Sequence, residues 1–300
     1  MRWKFTVAMA IAAGSLALIP FTSAAPAHVD PANSVASHRS HNSTLRAGSQ
    51  SKTFPAKFTN RYRMEFVLIP AGNFNMGSAA GPDSEKPAHE VTMTQPFYIG
   101  RYEVTQWQWR AVMRTTVDEQ RRKANNDGKS LVASPMAGEG DDRATYYVSW
   151  QEAHAFVEQL NTLKDGHLYR LPSEAEWEYV CRAGSTEDRP ADVGPLAWYK
   201  NNSNNYVQFV GMRRANAFQI YDMIGNVWEW CEDVFHLKYD GAPADGSPWM
   251  TNDELNQRVK RGGSFMTRNF DFLRCAGRGG GMVDSRDVET GFRVVATTPR

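Results

Sequence analysis

Glycine and proline recur through the chain from about Asn60 to its end, and this punctuation confines it to short elements joined by irregular backbone. Regular ladders cannot then supply most of the cohesion, so large side chains must pin the loops. Aromatics make up 12% of the residues, with 9 Trp among them. No repeat and no second composition break divides the roughly 240 residues involved, which suits one large domain or two tightly merged ones. The 34 basic and 33 acidic residues leave a formal charge of +1, so there is no electrostatic case for nucleic acid or an anionic membrane as partner.

The first residues have a different composition. Arg2 and Lys4 precede an apolar run from Phe5 to Phe21, followed by Thr22-Ser23-Ala24-Ala25, the pattern of a secretory signal peptide over residues 1–24. The mature protein is therefore expected to be periplasmic or secreted, without a membrane span once the signal is cleaved. Residues 25–58 are rich in Ser, Ala, His and Pro and cannot bury enough surface to fold, so they read as a disordered leader or tether before a domain at 59–300. His28, His38 and His41 within it are spaced as solvated polar residues.

Regular structure can be placed in four stretches. "EFVLIPAGNFNMGS" reads as a strand, a turn at Pro70 to Gly72 and a second strand. Thr105 with Gln108, Ser149 with Glu152 and Ser173 with Glu176 are capping boxes, each predicting a helix start. Behind Ser149, the residues Ala153, Phe156, Val157, Leu160 and Leu163 share a helical face. Gly184 should stop the third helix, and only loops and short strands are expected after it.

The blocks "IPAGNFNMGS", "PAHEVTMTQPFYIGRYEVTQWQW", "VSWQEAHAFVEQL", "YRLPSEAEWEYVCRAG", "NAFQIYDMIGNVWEWCEDV", "RVKRGGSF" and "ETGFRVV" run in an order that resembles the formylglycine-generating enzyme family, the sulfatase-modifying factors, over about residues 64 to 297. The resemblance implies an α+β fold with little regular secondary structure, related to C-type lectins and stabilised in several members by calcium. It also implies an oxidase in which two cysteines after Gly-Gly-Ser hold Cu(I), since close thiolates suit that soft ion. Here Thr267 takes the first cysteine position, nothing from Phe270 to Phe272 supplies the second, and the segment is shorter. Copper is therefore not expected. Cys275 matches a structural cysteine of the family, and Met266 among aromatics reads as packing. Ser264 matches the active-site serine and Trp228 an aromatic wall of the pocket.

The resemblance also implies a structural calcium at "YDMIGNVWEW", with Asp222 and Glu229 giving carboxylates and Gly225 and Val227 giving backbone oxygens; the plainer reading has both carboxylates capping turns or pairing with arginine. Glu289 stands where catalytic members carry asparagine. Facing the pocket, it would be a base or a cation-binding group; otherwise it would pair with Arg278, Arg286 or Arg293. Cys181, Cys231 and Cys275 allow one disulfide and a spare thiol, with all three pairings open and burial expected for the thiol. His89, His154, His167 and His236 are scattered, without zinc spacing, and Asp127 to Ser130 lacks the context of a phosphate loop.

Three functions follow from these residues. One is an exported oxidative maturation factor without copper, acting on a secreted protein or a small molecule such as a siderophore precursor. Another is a binding module using a lectin-like surface. The third is a sulfatase activator, against which the missing cysteine pair argues.

Overall fold

The computed structural model describes residues 54–126, 135–251 and 255–298; the export signal, the leader histidines and the Asp127–Ser130 run lie outside them. All described residues belong to one unit, Lys52–Arg300. Three short sheets carry its strands. In the largest, β1 (Lys57–Thr59), β2 (Glu65–Ile69) and β5 (Phe97–Gly100) lie in sequence. Then β11 (Val295–Thr297) inserts between β5 and β6 (Tyr169–Arg170), with every pairing antiparallel. The strands on either side of Pro70 to Gly72 part company: β3 (Gly72–Met76) leaves β2 and pairs with β4 (His89–Met93). The third sheet places β10 (Thr290–Gly291) parallel to β7 (Trp228–Val234), followed by β8 (Gln257–Arg261) and β9 (Arg278–Met282).

Each capping box starts a helix. Thr105 Oγ1 accepts the Gln108 amide at 3.2 Å while Gln108 Oε1 accepts the Thr105 amide at 2.9 Å, opening α1 (Gln106–Met113). Ser149 and Glu152 do the same for α3 (Trp150–Asn161), whose Ala153, Phe156, Val157 and Leu160 are buried. A fourth box not anticipated above, Thr116 with Glu119, opens α2 (Val117–Asn126). Trp109 of α1 stacks on Phe156 of α3 at 5.8 Å, and Phe292 meets both rings edge-on, joining these helices to the segment before β11.

The third box, Ser173 with Glu176, opens α4 (Glu174–Arg182), which ends at Ala183 and Gly184 in left-handed backbone. Every residue of α4 is buried, charged ones included, so its carboxylates need partners inside the protein. Arg278 forks onto Glu174 through two bonds of 2.7 Å. Glu178 receives Arg182 Nε at 2.8 Å on one oxygen and Arg261 on the other. Among the described residues, no α-helix follows α4, and no helix is long and apolar enough to cross a membrane.

Candidate functional site

Two loops meet at the end of the third sheet. The parallel pairing of β10 with β7 sets Thr290 opposite Trp228, and the Trp228 amide donates to the Glu289 carbonyl at 2.7 Å. Glu289 is thereby held beside Trp228 at the exit of an irregular turn. The other loop leaves β8 through Gly262 and Gly263, both at positive φ (95° and 75°). A side chain at Gly263 would meet Leu273 and the Phe272 carbonyl at 3.0–3.1 Å, so this turn needs glycine.

Ser264 is where the loops touch. Its Oγ donates to Glu289 Oε2 and accepts the Met266 amide at 3.1 Å. Thr267 closes the turn from the other side: its Oγ1 accepts the Ser264 amide at 2.8 Å and its amide donates to the Ser264 carbonyl at 3.0 Å. Ser264 and Thr267 are buried, whereas Glu289 and Trp228 are half-buried and Phe272 is exposed. Phe272 packs edge-on to Trp228 at 5.4 Å. A cavity of about 290 Å³ is lined by Met266 and Val288, the neighbours of this contact in each loop, together with Met136, Lys200, Tyr206 and Phe265. Chemically, the arrangement pairs a half-buried carboxylate with a buried hydroxyl, groups of the kind that proton transfer uses.

The arginine partners expected for Glu289 are engaged elsewhere: Arg278 with Glu174, Arg286 with Glu152 and Arg293 with Glu229. That expectation is corrected, because each arginine is claimed by another carboxylate and the Glu289 carboxylate turns to Ser264. The positions matching the copper thiolates carry Thr267 and the 270–272 turn. Cys181 and Cys275 form a disulfide with Cα atoms 5.5 Å apart, and the third thiol, Cys231, is buried, with burial raising its pKa well above the usual range. Hydroxyl, carboxylate and thioether groups do not make a two-thiolate Cu(I) site, so the donor set here does not fit copper.

The turn expected to hold calcium lies directly behind. Gly225 donates its amide to the Gly262 carbonyl at 2.8 Å, tying the turn to the one before Ser264. Its backbone sits against the Trp198 carbonyl, leaving no room for a side chain. Glu229 is fully committed: Arg293 Nε and Nη2 reach its two oxygens at 2.6 Å each, and Trp177 Nε1 donates at 2.7 Å. Asp222 is different. One oxygen accepts the Gly211 amide at 2.6 Å, while Oδ1 is buried without a partner. Glu103 is a third buried carboxylate nearby; burial, with Asp222 and Glu229 adding repulsion, raises its pKa well above the usual range. Of the two carboxylates expected to hold a cation, Asp222 has an oxygen to spare, while Glu229 already has its partner in Arg293. No group of three or more His, Cys, Asp or Glu gathers as a metal cluster among the described residues. His154 lies between Glu158 and Glu232, apart from His89, whose ring bonds the Pro87 carbonyl.

Sequence reasoning picked out Ser264, Trp228 and Glu289, and the fold brings all three together. It overlooked Lys260, Asp287 and Thr290, which surround the base of the same turn; Lys260 and Thr290 lie inside quoted family blocks, but nothing in those blocks shows that they meet.

Comparison with known proteins agrees with this architecture. Residues 51–298 match the sulfatase-modifying factor enzyme 1-like domain. The formylglycine-generating enzyme of Streptomyces coelicolor is 26% identical over 283 residues, covering 76% of this chain and 87% of that protein. The Bos taurus formylglycine-generating enzyme is 28% identical over 324 residues, covering 88% and 82%. Among solved structures, PvdO from Pseudomonas aeruginosa superposes with a TM-score of 0.69 at 31% identity, covering 82% of this chain and 100% of that one.

Proposed function

The chain belongs to the sulfatase-modifying factor family, and on that footing we propose that it is an exported maturation factor that oxidises a secreted protein or small molecule without a copper thiolate centre. The observation carrying this reading is the Ser264–Glu289 hydrogen bond in the family's cleft, where the residues present suit proton transfer and not Cu(I). In the reaction, Glu289 takes a proton from an O–H or N–H of the substrate. Two electrons and a second proton then pass from the substrate to dioxygen, and with return of the first proton the products are hydrogen peroxide and a substrate with one new double bond. Ser264 holds the carboxylate in place, and the rings of Trp228 and Phe272 pack on each other beside it. A siderophore precursor of catechol type meets these needs, having acidic hydroxyls and giving up two electrons readily.

The test is oxygen uptake by the purified protein with a catechol-type siderophore precursor or a cysteine-containing sulfatase peptide, each with and without copper. Uptake with the precursor, indifferent to copper and reduced about 100-fold or more in Glu289→Gln, is expected. Copper-dependent conversion of the peptide cysteine to an aldehyde would overturn the reading in favour of a sulfatase activator. Saturable binding without oxygen uptake would instead make the protein a binding module.

A further inference from the structure

We propose that Lys260 is a positioning residue of this site, clamping the turn that carries Glu289 from behind the Trp228 wall. The inference rests on the reading of Glu289 as the base. Lys260 lies on β8, opposite Gly279 of β9, and its side chain is mostly buried. The ammonium reaches Asp287 Oδ2 at 3.1 Å and Thr290 Oγ1 at 3.2 Å, one residue on each side of the 288–289 segment. Asp287 passes the constraint on, since its other oxygen accepts the Glu289 amide at 3.0 Å. The same ammonium lies 6.0 Å from the Trp228 ring centre and 5.4 Å from that of Trp230, within range of cation–π attraction.

The neighbouring strand is shaped to admit this arrangement. A side chain on Gly279 would come to 3.7 Å from the Trp228 ring, and one on Gly281 would meet Trp230 at 2.5 Å and Lys260 Cε at 3.2 Å. Gly281 therefore clears the face on which Lys260 and Trp230 lie, while a side chain at Gly279 would make only ordinary contact with Trp228. One cation thus fixes both parts of the cleft, the carboxylate through Asp287 and Thr290 and the wall through Trp228. A partly buried ammonium costs desolvation, which two oxygen acceptors and two aromatic rings offset here.

Lys260→Met and Lys260→Arg are compared with the wild type by amide hydrogen exchange and by turnover. In Lys260→Met, exchange at the Glu289 and Trp228 amides should quicken about 10-fold or more while protection in α3 and α4 is kept, and kcat should fall with little change in KM; Lys260→Arg should recover both. If the wild type shows no turnover but the local loss of protection appears in Lys260→Met and is restored in Lys260→Arg, the clamp stands and the oxidative reading falls. Unchanged protection at Glu289 in Lys260→Met overturns the clamp whatever the turnover. Loss of protection spread evenly through the protein overturns it too, because the lysine would then support the fold at large.

Discussion

The charges around α4 and those at the cleft are handled in opposite ways. Around α4, Glu85, Glu174 and Glu178 are almost wholly buried, and each meets a buried arginine: Arg274, Arg278 and the pair Arg261 with Arg182. Tyr239 Oη and the Gly77 amide fill further acceptor positions on Glu174 and Glu178. At the cleft, Glu289 is half-buried and its carboxylate meets a hydroxyl, with no ion pair among the described residues. The buried carboxylates face cationic partners, whereas the Glu289 carboxylate faces a neutral one in Ser264. The contrast separates carboxylates that hold the irregular chain together from the one we assign to the chemistry.

The sharpest way to break that contrast is to remove a partner on each side of it. Arg261→Leu leaves one oxygen of Glu178 unpaired in the core, with Arg182 still on the other, and should cost about 3–5 kcal/mol of unfolding free energy, whereas Glu289→Gln should cost about 1 kcal/mol or less. Denaturant unfolding of both variants measures this, and equal losses would erase the distinction. Calcium probes the boundary between the regions. Asp222 has a spare buried oxygen and Glu229 has none, so calcium should stabilise the wild type, by about 2.7 kcal/mol at 100 times its dissociation constant, and do nothing for Asp222→Asn. Melting curves in calcium and in chelator decide it; equal wild-type curves from metal-free protein would remove the site.

An effect confined to a window of pH concerns Asp233, whose pKa is pushed up to about 7 from an ordinary 3.8 by burial and by the charge of Glu174. The folded protein then keeps a proton that the unfolded chain releases, so this group's contribution is present at low pH and is lost as pH rises from about 4 to about 7. Relative to Asp233→Asn, the wild type should lose stability across that window by at most about 1.4 kcal/mol per pH unit. Parallel stability curves for the two proteins would contradict it.

Much of this could be read from the sequence wherever the controlling interaction is local. Thr105, Ser149 and Ser173 each lie three residues before their capping partners, and each starts a helix. Thr116 and Glu119 obey the same rule, but the helix they open, "VDEQRRKANN", is so polar that no apolar face announces it. The fate of β3 was hidden for a related reason. Its turn chemistry is visible at Pro70 to Gly72, but its choice of β4 over β2 depends on chain more than ten residues away. At the cleft, the residue types stood out through family blocks, while the Ser264–Glu289 contact spans 25 residues and the Cys181–Cys275 link 94. Glu289 shows the limit most clearly. Three nearby arginines made an ion pair the plainer expectation, and only the fold reveals that Glu174, Glu152 and Glu229 had claimed them first.

The position of β11 has a consequence for the order of events during synthesis. This strand, formed by Val295–Thr297, is the latest in the chain, yet it lies inside the largest sheet, with β5 on one side and β6 on the other. Until it arrives, β6 has no strand to join and the edge of β5 stays open. A ribosome that has delivered every helix has still delivered a protein whose main sheet is in two parts, so the fold closes only after nearly all of this sequence has been made, and an early stop that removes these three residues would leave the seam open.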